Sequence, residues 1–409
     1  MMLKWRNVFL LAIAISLIIA LPITGMAQGK VTIKPTVTTS WRTDNNFFKA
    51  ETNKREVYTY IIKPGIEVGY ESAKTLATIS YSLDIREYDD QDTIRPGWQA
   101  ADRDDYVGHI GKLDFKTKPT ERLILGLEES YMKTRDPGAS DKLSTSTDRE
   151  KFRINRITPQ LFYDFGARFT AGLRYRHSDT DYDLATREDS KEKRPMFDLI
   201  YNFNKTTSLD LEYQHWNMDY ALTTSDYDSD QVKLIFRKQY KYFALVAGGG
   251  RQERDFDDPT LNDIDVTTYR VGIIGQNPPL PEAKPRSYLA LGMERNFNDA
   301  GAGDSYYVAN RMTLNAGHVF AKKLPFDFKA FYQTSDYERT FGLTPEGTTV
   351  LRDDDSYNVE GKLGYIFNDW FLFSVSAGYE ERDSNLAGMD YENRYIMATI
   401  DFSYSLGKR

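Results

Sequence analysis

The sequence predicts an all-β fold: a single transmembrane, antiparallel, up-and-down β-barrel of about eighteen strands, with sixteen as the lower count. Three observations carry this expectation. Apolar residues recur at every second position through most of the chain, the period of a strand whose side chains point alternately to two faces. The connections between these stretches alternate short and long, as in barrels with tight periplasmic turns and longer extracellular loops. Beyond the N-terminus no run approaches the roughly 18 apolar residues that a spanning helix needs, and the densest, Trp370 to Val375, is far shorter.

The first residues read as a targeting segment. Lys4 and Arg6 precede an apolar core from Val8 to Leu21, and Gly25-Met26-Ala27 supplies small residues for cleavage. This predicts a secretory signal over 1–27, cut before Gln28, and a barrel over 28–409. The formal net charge of −7 becomes more negative once Lys4 and Arg6 leave with the signal. An acidic exported chain is a poor partner for nucleic acid. The absence of cysteine excludes disulfides and thiolate metal sites.

Taken in order, the mature chain opens with a strand from Val31 to Arg42. The clearest pair follows. In the outgoing strand Tyr58, Tyr60, Ile62, Ile66, Val68 and Tyr70 share one parity; after the turn Glu71-Ser72-Ala73-Lys74, Ala77, Ile79, Tyr81, Leu83 and Ile85 share one on the way back. Hairpins are then predicted over Asp105–Thr117 and Glu121–Thr134, Lys151–Tyr163 and Arg168–Asp181, Pro195–Phe203 and Ser208–Tyr220, and Asp230–Gln239 and Tyr242–Asp255. Val266–Gln276 and Arg286–Asn298, Tyr306–Ala321 and Phe326–Glu338, and Ser356–Phe367 and Phe371–Arg382 continue the series, and Tyr391–Leu406 closes it. Pro64 and Pro159 fall inside strands and remove ladder donors, which predicts bulges or irregular pairing there. A change of phase near Arg156-Ile157 is a further bulge signal.

One wall of this pattern is apolar with Tyr and Phe at strand ends, as expected of a lipid-facing surface with aromatic girdles. The other carries charge of both signs. Its candidate pore-lining residues are Arg86, Lys112, Arg122, Arg156, Arg168, Arg174, Arg176, Asp198, Asp210, Glu212, Lys233, Arg237 and Arg270. Rings of charge set selectivity in pores, and Arg156, Arg168, Arg174 and Arg176 form the expected anion-attracting arc. The competing reading is that these charges pair across strands and rigidify the wall.

Catalysis has little support. Of four histidines, His109, His215 and His318 fall on the apolar parity, and His177 is followed by Ser178, which points to the opposite face. No triad can be built from that. The acidic runs Asp255 to Asp265 and Asp353-Asp354-Asp355 match no defined calcium loop. No cofactor or metal is expected.

Several segments resemble the second putative outer-membrane β-barrel porin family: Pro35-Thr36-Val37 through Trp41-Arg42-Thr43-Asp44-Asn45, Lys63-Pro64-Gly65-Ile66 followed by Tyr81-Ser82-Leu83, and Tyr131-Met132-Lys133-Thr134-Arg135-Asp136-Pro137. The resemblance is concentrated in the first third of the chain. It implies an outer-membrane pore, often encoded with exopolysaccharide synthesis and export machinery, and no catalytic residues. The expected partners are outer-membrane lipid and lipopolysaccharide, the barrel assembly machinery, and polysaccharide or periplasmic export proteins. Two functions stay open: a porin-like channel for polar or anionic solutes, or polysaccharide, and a plugged structural or adhesive barrel acting through its outer loops.

Overall fold

The computed structural model describes residues 29–136, 143–144, 147, 149–184, 188–222, 224–279, 285–298 and 307–406, with the side chains of Asn298 and Arg339 outside the description. The predicted signal segment lies outside the described residues. The chain forms one closed 18-stranded antiparallel sheet in which each strand pairs with its sequence neighbours and the first pairs with the last. The strands are β1 Lys30–Asp44, β2 Val57–Glu71, β3 Thr75–Asp90, β4 Tyr106–Thr117, β5 Leu123–Thr134, β6 Phe152–Asp164, β7 Phe169–Tyr182, β8 Ser190–Asn204 and β9 Thr207–Tyr220. They continue as β10 Tyr227–Gln239, β11 Phe243–Phe256, β12 Ile264–Asn277, β13 Ser287–Asn298, β14 Tyr307–Phe320, β15 Leu324–Leu343, β16 Thr349–Asn368, β17 Phe371–Ser384 and β18 Tyr391–Ser403.

Alternation sets the two faces. Leu173 and Tyr175 on β7, Phe197 and Leu199 on β8, and Leu211 and Tyr213 on β9 are exposed, whereas the interleaved Asp198 and Asp210 are buried. Apolar side chains therefore point away from the barrel axis and polar ones toward it, the inverse of a soluble core. Among described residues the apolar clusters are small and sit at the end with the long loops, as with Phe47, Val57, Tyr88, Ala101 and Tyr106.

The inner wall fits aromatic rings over glycine. Phe162 faces Gly172, Tyr288 faces Gly317 and Tyr395 faces Gly378 in direct register. A Cβ at Gly378 would stand 2.2 Å from the Tyr395 ring. Glycine here leaves room for the ring to lie flat on the neighbouring strand.

The structure corrects several expectations. Neither Pro64 nor Pro159 produces a bulge. Pairing of β2 with β3 lapses at Lys63 and Pro64, and that of β6 with β7 at Thr158 and Pro159, yet the register is the same on both sides of each gap. β6 also stays in continuous register with β5 through Arg156 and Ile157, so no phase shift occurs there. The irregularities fall instead in β15–β16, beyond Asp336, and at the short turns of β8–β9 and β16–β17. β8 begins at Ser190, five residues before the expected Pro195, and β15 and β16 run on for 20 residues each. The acidic run Asp353-Asp354-Asp355 thus belongs to a strand. Asp354 is fully buried and holds the Arg352 guanidinium at 2.6 Å.

Candidate functional site: the barrel lumen

Eleven of the thirteen nominated residues lie on the inward parity of strands, whereas Arg122 and Arg168 lie in short turns just before β5 and β7, and the thirteen do not form one site. Arg86 alone among them lines an internal cavity of roughly 570 Å³ near the long-loop end. Its guanidinium is 3.0 Å from Asp84 and 3.8 Å from Asp136. Among the described residues, six cationic ones, Arg42, Lys49, Lys63, Arg86, Arg149 and Arg311, line this cavity with three acids, Asp44, Asp136 and Glu380. Two loops help to enclose it. From the β1–β2 loop, Lys49 reaches Glu380 of β17 at 2.8 Å. Burial works against the Lys49 ammonium, but Glu380 and Tyr391 together more than offset this and hold its pKa above the ordinary lysine value. From the β5–β6 loop, Arg149 lies 3.7 Å over the Phe47 ring.

The β5–β6 loop also crosses the barrel. Leu143 is buried against Tyr307, Ala309 and Tyr337, on β14 and β15. Its carbonyl accepts from the Tyr307 hydroxyl and the Gln333 side-chain amide, both at 2.9 Å. β14 follows β5 by nine strands in a barrel of eighteen, so this contact is with the opposite wall. The sequence reading left this crossing out. An isolated leucine in an otherwise polar loop was its one visible signal.

The wall from β7 to β10 is largely paired. Arg174 donates twice to Asp198, at 2.8 and 2.6 Å, and once to Glu212 at 2.9 Å. Arg237 donates to Asp210 at 2.7 Å. Lys233 stands in register with Glu212, and Arg270 with Glu294. Lys112 faces Ser80. Arg122 and Arg168 are exposed at short turns, where Arg168 donates to the Tyr201 hydroxyl at 3.5 Å.

The expected arc is therefore rearranged. Arg174 is neutralised and Arg168 stands at the mouth, while Arg156 and Arg176 are joined by Arg194, a residue hidden from the sequence reading because β8 was begun at Pro195. Arg176 and Arg194 lie directly opposite in the β7–β8 register, and Arg156, opposite Ser178, is diagonal to Arg176. Glu192 is the acid that answers them, 2.7 Å from Arg194 and 3.9 Å from Arg176. Arg194 also lies 4.1 Å over the Trp216 ring. The Nε–H groups of all three arginines are buried without a protein acceptor.

The histidines take no part in the lumen. On the outer surface His109 pairs with the Tyr81 hydroxyl at 2.6 Å and His215 with Asp230 at 3.1 Å. His177 lies 3.2 Å from Asp179, with Ser178 on the other face. Among the described residues no group of three or more His, Asp or Glu is arranged to hold a metal ion.

Comparison with known proteins adds the following. Solved structures similar in fold include OccAB4 of Acinetobacter baumannii, at 12% identity over 93% of this chain and 100% of that one, with a TM-score of 0.47. OccAB2 of the same organism is similar at 11% identity over 92% and 98%, with a TM-score of 0.48. The FrpB iron transporter of Neisseria meningitidis (F3-3 variant) is similar at 8% identity over 93% and 82%, with a TM-score of 0.45. No curated protein matches the sequence. The family model described as Putative beta-barrel porin 2 matches residues 246–404, from β11 to the end of the barrel rather than over the opening third.

Proposed function

We propose that the chain is a porin-like channel of the outer membrane for polar solutes, with a preference for anions. The observation that carries this reading is the group Arg156, Arg176 and Arg194, three guanidinium groups on adjacent strands answered by Glu192. Like charges placed directly opposite across a sheet are destabilising. A passing carboxylate or phosphate would relieve that repulsion. The cationic excess among the described residues of the cavity beside Arg86 favours the same sign of solute. An 18-stranded barrel is also too wide for its own side chains to fill, so its lumen admits water.

The second reading, a plugged barrel, is favoured by the crossing at Leu143. A polysaccharide chain would need this strap displaced before it could be threaded through. The reading adopted is accordingly small-solute passage, with the strap setting the width. The test is single-channel recording of the refolded mature chain in planar bilayers under a salt gradient. Wild type is expected to conduct in steps with a reversal potential on the anion side. Arg156→Ser, Arg176→Ser and Arg194→Ser together should move it toward zero. Silent insertion of correctly folded protein would favour the plugged barrel, and an unchanged reversal potential in the variant would remove the arginine group from the account.

A further inference from the structure

The two ends of the barrel differ in charge where they meet lipid. Eight turns, seven of them short and one the longer 278–286 connection, share one rim with both ends of the sheet, which is the periplasmic side in barrels of this kind. Seven of the eight turns carry exposed Lys or Arg: Lys74; Lys118 and Arg122; Arg168; Lys205; Lys241; Arg286; Lys322 and Lys323. Among the described residues, the exposed acids on these turns are Glu71, Glu121 and Asp369. At the opposite rim, acids face acids in direct outward register, Asp336 with Asp353, Asp355 with Asp383 and Glu381 with Glu392. Exposed Lys193, Arg251 and Arg394 also stand on this rim, so it carries both signs where the short-turn rim is mainly basic.

The basic rim is interleaved with exposed aromatic side chains on the outer face, among them Phe165, Phe203, Tyr242, Phe320 and Trp370. Cation and ring are in contact at several points. The Lys238 ammonium lies 5.4 Å from the Tyr240 ring centre, Lys241 is 5.1 Å from Tyr242, and Lys323 is 5.9 Å from Tyr365. Aromatic rings of this kind sit at headgroup level, and lysines extend from beside them toward the polar layer. The cations are thus placed outside the pore, against the lipid headgroups and not the passing solute.

We infer that the short-turn rim is a binding surface for anionic phospholipid headgroups of the inner leaflet, with a phosphate-bearing lipid such as phosphatidylglycerol favoured over a zwitterionic one. The inference rests on the membrane-spanning reading of the barrel and is independent of what the lumen conducts.

Trp370 lies in the girdle on the β16–β17 turn, while Trp41 faces outward near the other rim, so each reports on its own lipid layer. All chains for this test carry Trp98→Phe and Trp216→Phe; with Trp41→Phe added and the mature chain refolded into phosphatidylcholine vesicles, Trp370 fluorescence would be quenched by brominated phosphatidylglycerol or brominated phosphatidylcholine at equal mole fraction. The expected preference for the anionic lipid is about fivefold, the factor that one cation near an anionic surface supplies. Replacing Lys205, Lys241, Lys322 and Lys323 with Gln should bring it close to unity, and a Trp370→Phe chain read through Trp41 should show none. Equal quenching by both lipids at Trp370 would overturn the inference and leave the rim for an acidic protein surface. A preference that survived the four substitutions would overturn it equally. Should that variant fail to fold, the original chain in 1 M salt replaces it, where the preference must shrink if headgroup charge carries it.

Discussion

Tyr307 and Leu143, 164 positions apart in the chain, meet on the wall opposite the loop that carries Leu143, with the tyrosine hydroxyl donating to the leucine carbonyl over 2.9 Å. Gln333 donates to the same carbonyl. In Tyr307→Phe with Gln333→Leu this buried acceptor would lose both donors, at a cost of about 1–3 kcal/mol. The strap is then expected to undock more often, and mean single-channel conductance should rise. An unchanged conductance would show that the strap does not set the width.

Asp198 and Glu212 are directly opposite each other across β8 and β9, and Arg174 separates their charges. Arg174→Ser leaves two carboxylates facing one another. The expected loss is about 3 kcal/mol, the lower end for breaking a buried pair, since the guanidinium is partly accessible. Urea unfolding in detergent would measure it. Adding Asp198→Asn should recover part of the loss; a double variant no more stable than the single one would count against repulsion as the cause.

Gly378→Ala should cost about 1–3 kcal/mol by overpacking against Tyr395. The displaced ring would also give up its 2.7 Å bond to Glu360 and its stack under Arg42. The same urea assay tests it, with Gly361→Ala as a contrast, because no atom lies within 4 Å of a Cβ built there.

The Lys49–Glu380 contact sets an alkaline limit on the β1–β2 loop. The folded pKa of Lys49 lies above its unfolded value, so the stabilisation is complete below roughly 10.4, the free lysine value. It is lost as pH rises through the higher folded value. Conductance is therefore expected to stay flat from pH 8 to about 10 and to change beyond the free lysine value. Glu380→Gln should move the change to lower pH. A step in the original chain below pH 9 would point to another group.

Much of the architecture was legible because period two is a local signal. Tyr58 to Tyr70 shows its two faces without reference to any other strand, and the alternating turn lengths order the hairpins. Side-chain partnership was less legible, since it depends on register between strands. Nothing near Arg174 in sequence announces Asp198 and Glu212. Pro195 read as the start of a strand because proline favours first positions and edges, and this concealed Arg194 and Glu192. Pro64 and Pro159 read as bulges, yet each omits its ladder contacts on one side while the neighbouring strand holds the register. Leu143 was illegible for the opposite reason: its partners lie half a circumference away.

The pairing of β1 with β18 has a consequence for biogenesis. Thr38 and Asp401, 363 positions apart, are joined at 2.6 Å across this seam, and Leu406 extends it by bridging to Ile33. The seam works as a clasp between the first and last segments to be made. Until the final hairpin has been delivered, the growing sheet has two raw edges, each able to recruit a stranger's strand. A polypeptide cut short by one hairpin would lack β18, the strand that β1 fastens to, and would keep both edges open.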